Sequence, residues 1–288
     1  MQSRTLVSVL ATLVLGCASS SYVELYPFSA PVSYQLQQRQ SLESRVETVP
    51  VQRNDRVDRL VEMFEEAGCT GRFLKLENLS GSPTPNVICT LPGKSPRRII
   101  VSTHHVLARG GKGVFDAWTS VALLPMLYSS LKSIPRSHTY EFIGFASTPF
   151  EGDASYGYLT NDPVRFERTA AMIWLDYLGL GATAAWGSRS DPNLFADLVS
   201  AAAALDIDLL SKDLSGAPTI HDHSRAFRWY DIPTVYVHSL TLETERVVGV
   251  KRFDTDPKTI DLDAYFDSYR VLATYLGYLD KTLDARKL

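Results

Sequence analysis

From residue 98 onward, short apolar segments alternate with longer segments whose apolar residues recur three and four apart. "RRIIVSTHH", "YEFIGFAS", "TAAMIWLD" and "IPTVYVHS" have the length and the β-branched and aromatic content of strands buried on both faces. "FDAWTSVALLPMLYSSL", "NLFADLVSAAAALD" and "LDAYFDSYRVLATYLGYLDKTL" read as helices, the first interrupted by Pro125. Strands without a polar face must be covered on both sides. The alternation therefore predicts an α/β three-layer sandwich: a mixed, mostly parallel sheet with helices on both faces. Upstream, Val57, Leu60, Val61, Phe64 and Ala67 recur at helical spacing before Gly68, which predicts the first helix of the domain.

With 288 residues, 45% of them hydrophobic, the chain can bury one large core, and no internal repeat or second domain is legible. Its net charge of −3 comes without a long basic run. Phosphate binding needs clustered Lys and Arg, so nucleic acid is excluded as a partner, and a peptide or small-molecule ligand is expected instead.

The N-terminus carries Arg4, the apolar run "TLVSVLATLVL", and then Gly16-Cys17, which reads as a targeting segment too short to span a membrane. "VLGC" resembles the lipobox of bacterial lipoproteins. That resemblance implies cleavage before Cys17, lipidation of Cys17 and a membrane anchor, with Ala18 in place of Asp implying an outer membrane facing the periplasm. An ordinary cleaved signal is the alternative. The expected division is signal peptide 1–17, polar tether 18–50 around "QLQQRQSLESR", and domain 51–288. Cys69 and Cys89, in an exported chain, read either as a disulfide or as two buried thiols.

In open α/β sheets, ligands sit beyond the carboxyl ends of the strands. Those ends hold His104 and His105, Thr148 to Asp153, Asp176, and His238. Asp116 follows the flexible "ARGGKG" stretch at the start of the next helix. His104, Asp116 and Asp176 are therefore candidates to meet at one edge. One imidazole and two carboxylates with an open fourth position suit catalytic Zn²⁺. The bland alternative is a hydrogen-bonded core histidine and a helix-capping aspartate.

The ordered set "NVICTLPG…RRIIVSTHH…GVFDAWTSVALL…YEFIGFAS…AAMIWLDYLG…HDHSRAFRWYDIP" resembles the di-zinc aminopeptidases, a family that extends to glutaminyl cyclases. The resemblance covers roughly residues 55 to 285 and implies a zinc-exopeptidase fold. It also implies that His104 and Asp176 bind one zinc and that Asp116 bridges two. Where the family has a Glu-Glu pair, the first the general base and the second a ligand of the other zinc, this chain has Thr148 and Pro149. Neither takes a proton from water near neutral pH. The family's last histidine ligand is also missing, since no His follows His238. The expectation is one Zn²⁺ at most.

Asp222 and His223 resemble a segment that lines the family's site without binding metal. Glu151 is a candidate substitute base, and His105 the other one nearby. Two functions follow: a weakly active or inactive zinc aminopeptidase-like lipoprotein, or a binding or scaffolding lipoprotein that reuses the fold. In the second, Trp118, Phe150 and Trp229 are candidates to fill the pocket. A serine hydrolase is set aside, because "GDASYG" puts Asp153 where a nucleophile elbow needs glycine.

Overall fold

The computed structural model describes residues 21–25, 31–105, 111–146, 153–213, 222–241, 243–244 and 256–284. The strands are β1 (Ser21–Leu25), β2 (Val32–Leu36), β3 (Leu74–Glu77), β4 (Asn86–Leu91), β5 (Arg98–His104), β6 (Thr139–Phe145), β7 (Thr169–Leu175), β8 (Ala184–Ala185), β9 (Leu210–Ser211) and β10 (Thr234–His238). The helices are α1 (Arg39–Glu47), α2 (Arg53–Glu66), α3 (Thr119–Leu131), α4 (Asp153–Thr160), α5 (Pro163–Arg168), α6 (Pro192–Ala203), α7 (Ser224–Trp229) and α8 (Leu262–Thr282).

Eight strands form one sheet in the order β3-β4-β6-β5-β7-β10-β8-β9. Its centre, β6-β5-β7-β10, is parallel, while β3, β4 and β8 pair antiparallel with their inner neighbours. The four central strands are those read from the sequence. Their continuous burial explains the lack of alternation: six of seven residues are buried in each of β5, β6 and β7. Helices lie on both faces. Phe142 meets Tyr128 of α3, while Phe145, three residues on and so on the opposite face, meets Tyr158 of α4 and Phe227 of α7. The expected α/β three-layer sandwich is the observed fold.

The N-terminal boundary differs from the expectation. Residues 31–47, read as part of a tether, form β2 and α1 and belong to the domain. Val32 and Tyr34 alternate onto one buried face, and Leu42 and Val46 are spaced one helical turn apart and buried. Gln37 donates its backbone N–H to the Tyr269 hydroxyl of α8 at 2.7 Å. Two apolar residues per element are too few to show periodicity in a polar stretch, yet they suffice once α8 and α3 offer surfaces to cover. Consequently α2 is the second helix of the fold. Cys17 and the rest of the targeting segment lie outside the described residues, and no helix among the described residues is long and apolar enough to cross a membrane.

Two tethers join distant parts of the domain. Cys69, just past α2, forms a disulfide with Cys89 of β4. At the other end of the sheet the Asp280 carboxylate of α8 accepts the backbone N–H groups of Ser137 and His138 at 2.8 to 3.0 Å and lies 3.4 Å from the His138 ring. Burial alone would raise the Asp280 pKa, but the hydrogen bonds from His138 and Ser137 outweigh it and hold the carboxyl below its ordinary value.

Two outcomes are expected. Replacing both cysteines by serine should cost about 3 kcal/mol in denaturant unfolding, the chain-entropy value for a loop of this size. Asp280→Asn should cost about 1 to 3 kcal/mol at neutral pH. A carboxyl with a depressed native pKa contributes stability that is complete above its unfolded pKa and is lost as the pH falls through the native one. The gap between wild type and Asp280→Asn should therefore narrow below about pH 4, and a gap that widened on acidification would contradict this account.

Candidate metal centre

Parallel pairing sets Ser102 of β5 beside Trp174 of β7. Two residues further on, and on the same face, each strand delivers one polar side chain: His104 ends β5 and Asp176 follows β7. The Asp176 backbone continues the ladder by donating to Val237 on the next strand at 3.0 Å. Asp116 comes from an irregular segment. Val114–Trp118 is a π-type turn in which Asp116 (φ −106°, ψ 77°) and Ala117 (φ −137°, ψ 32°) leave helical geometry, and the peptide between them is cis. Regular helix begins only at Thr119, so Asp116 does not cap α3 and instead turns its carboxylate toward His104.

His104 Nε2 lies 2.9 Å from Asp116 Oδ1 and 3.9 Å from Asp176 Oδ1. One ligand atom from each of the three falls within 4.8 Å of the others, and all three residues are buried. Asp176 is held from behind, its Oδ2 accepting the Tyr236 hydroxyl at 2.9 Å and its Oδ1 the Tyr177 N–H at 3.1 Å. Tyr177 adopts a left-handed φ of 48°, at a cost of about 1 kcal/mol for a side chain with a Cβ. Supporting hydrogen bonds of this kind fix ligand orientation in metal sites.

The electrostatics are those of a buried acidic cluster. Burial pushes the Asp176 carboxyl well above the usual range, with the charge of Asp116 adding to it and the charge of His104 opposing it. For His104, burial alone lowers the imidazole pKa, but Asp116 and Asp176 outweigh it and leave the ring above its ordinary value. Two buried carboxylates beside one imidazole need positive charge, from a proton or from a cation. An imidazole and two carboxylates form a donor set that zinc accepts, so the residues fit a single ion.

Of the other sequence candidates among the described residues, His223 reaches the cluster and the rest fall elsewhere. His105 points to the opposite face, toward α2, and donates Nε2–H to the Pro85 carbonyl at 2.9 Å. Burial drives its pKa down to about 4. It is a structural histidine and does not face the cluster as a base. His223 lines the site: its ring centroid is 6.1 Å from that of His104, 5.4 Å from Trp174 and 5.7 Å from Phe145. Asp222 is engaged by Arg189 at 2.9 Å and Arg228 at 2.7 Å. His238 accepts the Leu240 N–H on Nδ1 and donates to the Lys212 carbonyl from Nε2, apart from the cluster. Ser155 donates to the His223 carbonyl at 2.8 Å. Trp118 is buried in the core, and Trp229 is 74% exposed, so neither fills the site. Thr148, Pro149, Phe150 and Glu151 lie outside the described residues.

Three contributors escaped the sequence reading. Trp174 stacks on His104 at 6.0 Å, and Tyr236 buttresses Asp176. Both sit on strands identified as such, two positions before a candidate ligand, which is the signal that marks the same face. The third is Arg56, fully buried on α2. Arg56, Leu60, Met63, Phe64 and Ala67 share one buried helical stripe, so an arginine in register with the apolar face was the available sign.

No family model matches the chain, and no curated protein matches it. Solved structures do. Over 84% of this chain and 72% of the other, the protein superposes on the LapA aminopeptidase of Legionella pneumophila with a TM-score of 0.67 and 12% identity. A glutaminyl cyclase of Porphyromonas gingivalis aligns with a TM-score of 0.64 and 16% identity, over 83% of this chain and 97% of that one. The zinc aminopeptidase BSAP of Bacillus subtilis gives a TM-score of 0.59 and 17% identity over 67% of this chain, which spans about half (49%) of that protein's length. At these identities the likeness is one of fold: an α/β sheet of the zinc aminopeptidase and glutaminyl cyclase type.

Proposed function

We propose that the protein is an exported zinc aminopeptidase-like lipoprotein that keeps one metal site, His104-Asp116-Asp176, and binds a peptide or small molecule with weak hydrolysis or none. The observation that carries this reading is the convergence of three buried ligand atoms within 4.8 Å at the carboxyl edge of a sheet of this fold. When bound there, zinc supplies Lewis acidity toward a carbonyl or a water. His104, Asp116 and Asp176 would hold it, and Tyr236 and the Tyr177 N–H keep Asp176 aimed.

The chain's own proton-transfer groups argue for low turnover. Among the described residues, His105 faces away and Asp222 is tied to two arginines, so neither serves as a general base beside the cluster. The resemblance places Thr148 at the general-base position and Pro149 at that of the other zinc's ligand, and it leaves Glu151, two residues further along the sequence, as the candidate substitute base. A second reading, a binding lipoprotein that takes no metal, draws support from the closeness of the His104–Asp116 pair, 2.9 Å, with a proton on Asp176 completing the charge balance.

The deciding measurement is zinc stoichiometry on the chain after residue 17. One zinc, absent from His104→Ala, is expected. No zinc in the wild type would leave the binding reading. With zinc present, aminopeptidase and glutaminyl-cyclase substrates should turn over slowly or not at all, and any activity should fall at least about tenfold in Glu151→Gln if that residue is the base. The pH dependence follows from the ligands. His104 and Asp176 both hold protons above their ordinary values, and each must lose its proton to bind metal. Zinc affinity should therefore drop roughly tenfold or more between about pH 8 and pH 6, as read by calorimetric titration.

A further inference from the structure

Arg56 is 0% exposed, and its guanidinium is directed at backbone carbonyls. Nε donates to Pro50 at 2.9 Å, Nη2 to Lys112 at 2.7 Å and Gly113 at 2.6 Å, and Nη1 to His105 at 3.4 Å. These carbonyls are not a random set. His105 directly follows one candidate ligand, while Lys112 and Gly113 shortly precede another, Asp116. We propose that Arg56 is a positioning residue for the metal centre, setting the approach of Asp116 to His104 by clamping both ends of the segment that joins them. The proposal rests on the reading that the cluster takes a metal.

The surroundings make the clamp stiff. Trp118 lies over the guanidinium, 5.4 Å from ring centroid to its central carbon. Its backbone N–H donates to the same Gly113 carbonyl at 3.1 Å, and its indole N–H donates to Arg45 at 3.0 Å. Gly113 sits at φ 61°, where a side chain is disfavoured. On the strand side, α2 is seated close against β6. A Cβ at Gly144 would come within 2.5 Å of Leu60 Cδ2, and Gly144 pairs with Thr103, next to His104. Arg56 is thus fixed relative to the strand that carries one ligand and grips the turn that carries the other.

A buried cation near a metal site also has an opposite effect, since its charge repels the metal. If charge dominates, removing Arg56 tightens metal binding; if positioning dominates, removal weakens it. Four bonds to backbone carbonyls, two of them on the turn that leads to Asp116, favour positioning. Lysine separates the two effects. It keeps the charge, but its compact ammonium has three donors and no planar fork to span separate carbonyls.

The test is zinc affinity by chelator competition, well below the melting temperature, for wild type, Arg56→Lys and Arg56→Gln, with the Cys69→Ser/Cys89→Ser double variant as a destabilised control. Loss of an outer-shell partner weakens binding by about tenfold to a hundredfold. That loss is expected in both Arg56 variants, lysine included, and not in the control. Unchanged or tighter binding in Arg56→Lys, with the wild type binding normally, overturns the role of Arg56 alone. A wild type that takes no zinc overturns the metal reading beneath it. If the variants do not fold, hydrogen exchange on the wild type decides. Equal protection of the Trp118 amide with and without zinc supports a pre-set clamp, and protection that appears only with zinc overturns it.

Discussion

The parallel ladder between β5 and β7 is the constraint on which the site depends. Side chains alternate along a strand, so a one-residue slip between these two would send either His104 or Asp176 to the face of α2 and α3. The register is held by burial on both faces. Ile99, Ile100, Val101, Met172, Ile173 and Trp174 are inaccessible to solvent, so a slip has to repack the side chains of both faces at once. His105 shows what the other face does to the same residue type. One position beyond His104, it meets the Pro85 carbonyl in place of two carboxylates, and its pKa moves in the opposite direction.

What the sequence disclosed and what it withheld divide along a physical line. Strands buried on both faces are conspicuous as uninterrupted apolar runs, and residues at their carboxyl ends are where chemistry gathers in such sheets, so the sheet centre and His104, Asp116 and Asp176 were legible. The N-terminal strand and helix were not, because their fit depends on surfaces contributed by α3 and α8, far away in the chain. Nor does composition show which neighbours neutralise a charge. Asp222 looks like a site carboxylate until Arg189 and Arg228 are seen on it. The irregular turn at Asp116 follows the same logic: it runs directly into an apolar helical stretch, and nothing in that stretch marks where regular helix begins.

The aromatic surroundings of the cluster amplify its electrostatics. Trp174, His223, Phe145 and Phe227 form a connected set of rings against His104. They exclude water, and with it the high dielectric that would let two carboxylates sit side by side at little cost. Charge in this pocket is therefore scarce, and each proton or cation has a large effect.

The N-terminal hairpin has a mechanical consequence. Ser21 pairs with Leu36 and Leu25 with Val32, so the chain enters the hairpin beside the point where it leaves for α1. Tension from the amino-terminal side opens such a ribbon one rung at a time, from the Ser21 end. It then reaches β2, where the buried Val32 and Tyr34 bring the peeling to a stop. The outer strand would act as a load limiter: until its five rungs are open, the pull passed on to β2 and α8 is no larger than the force that breaks one rung at a time.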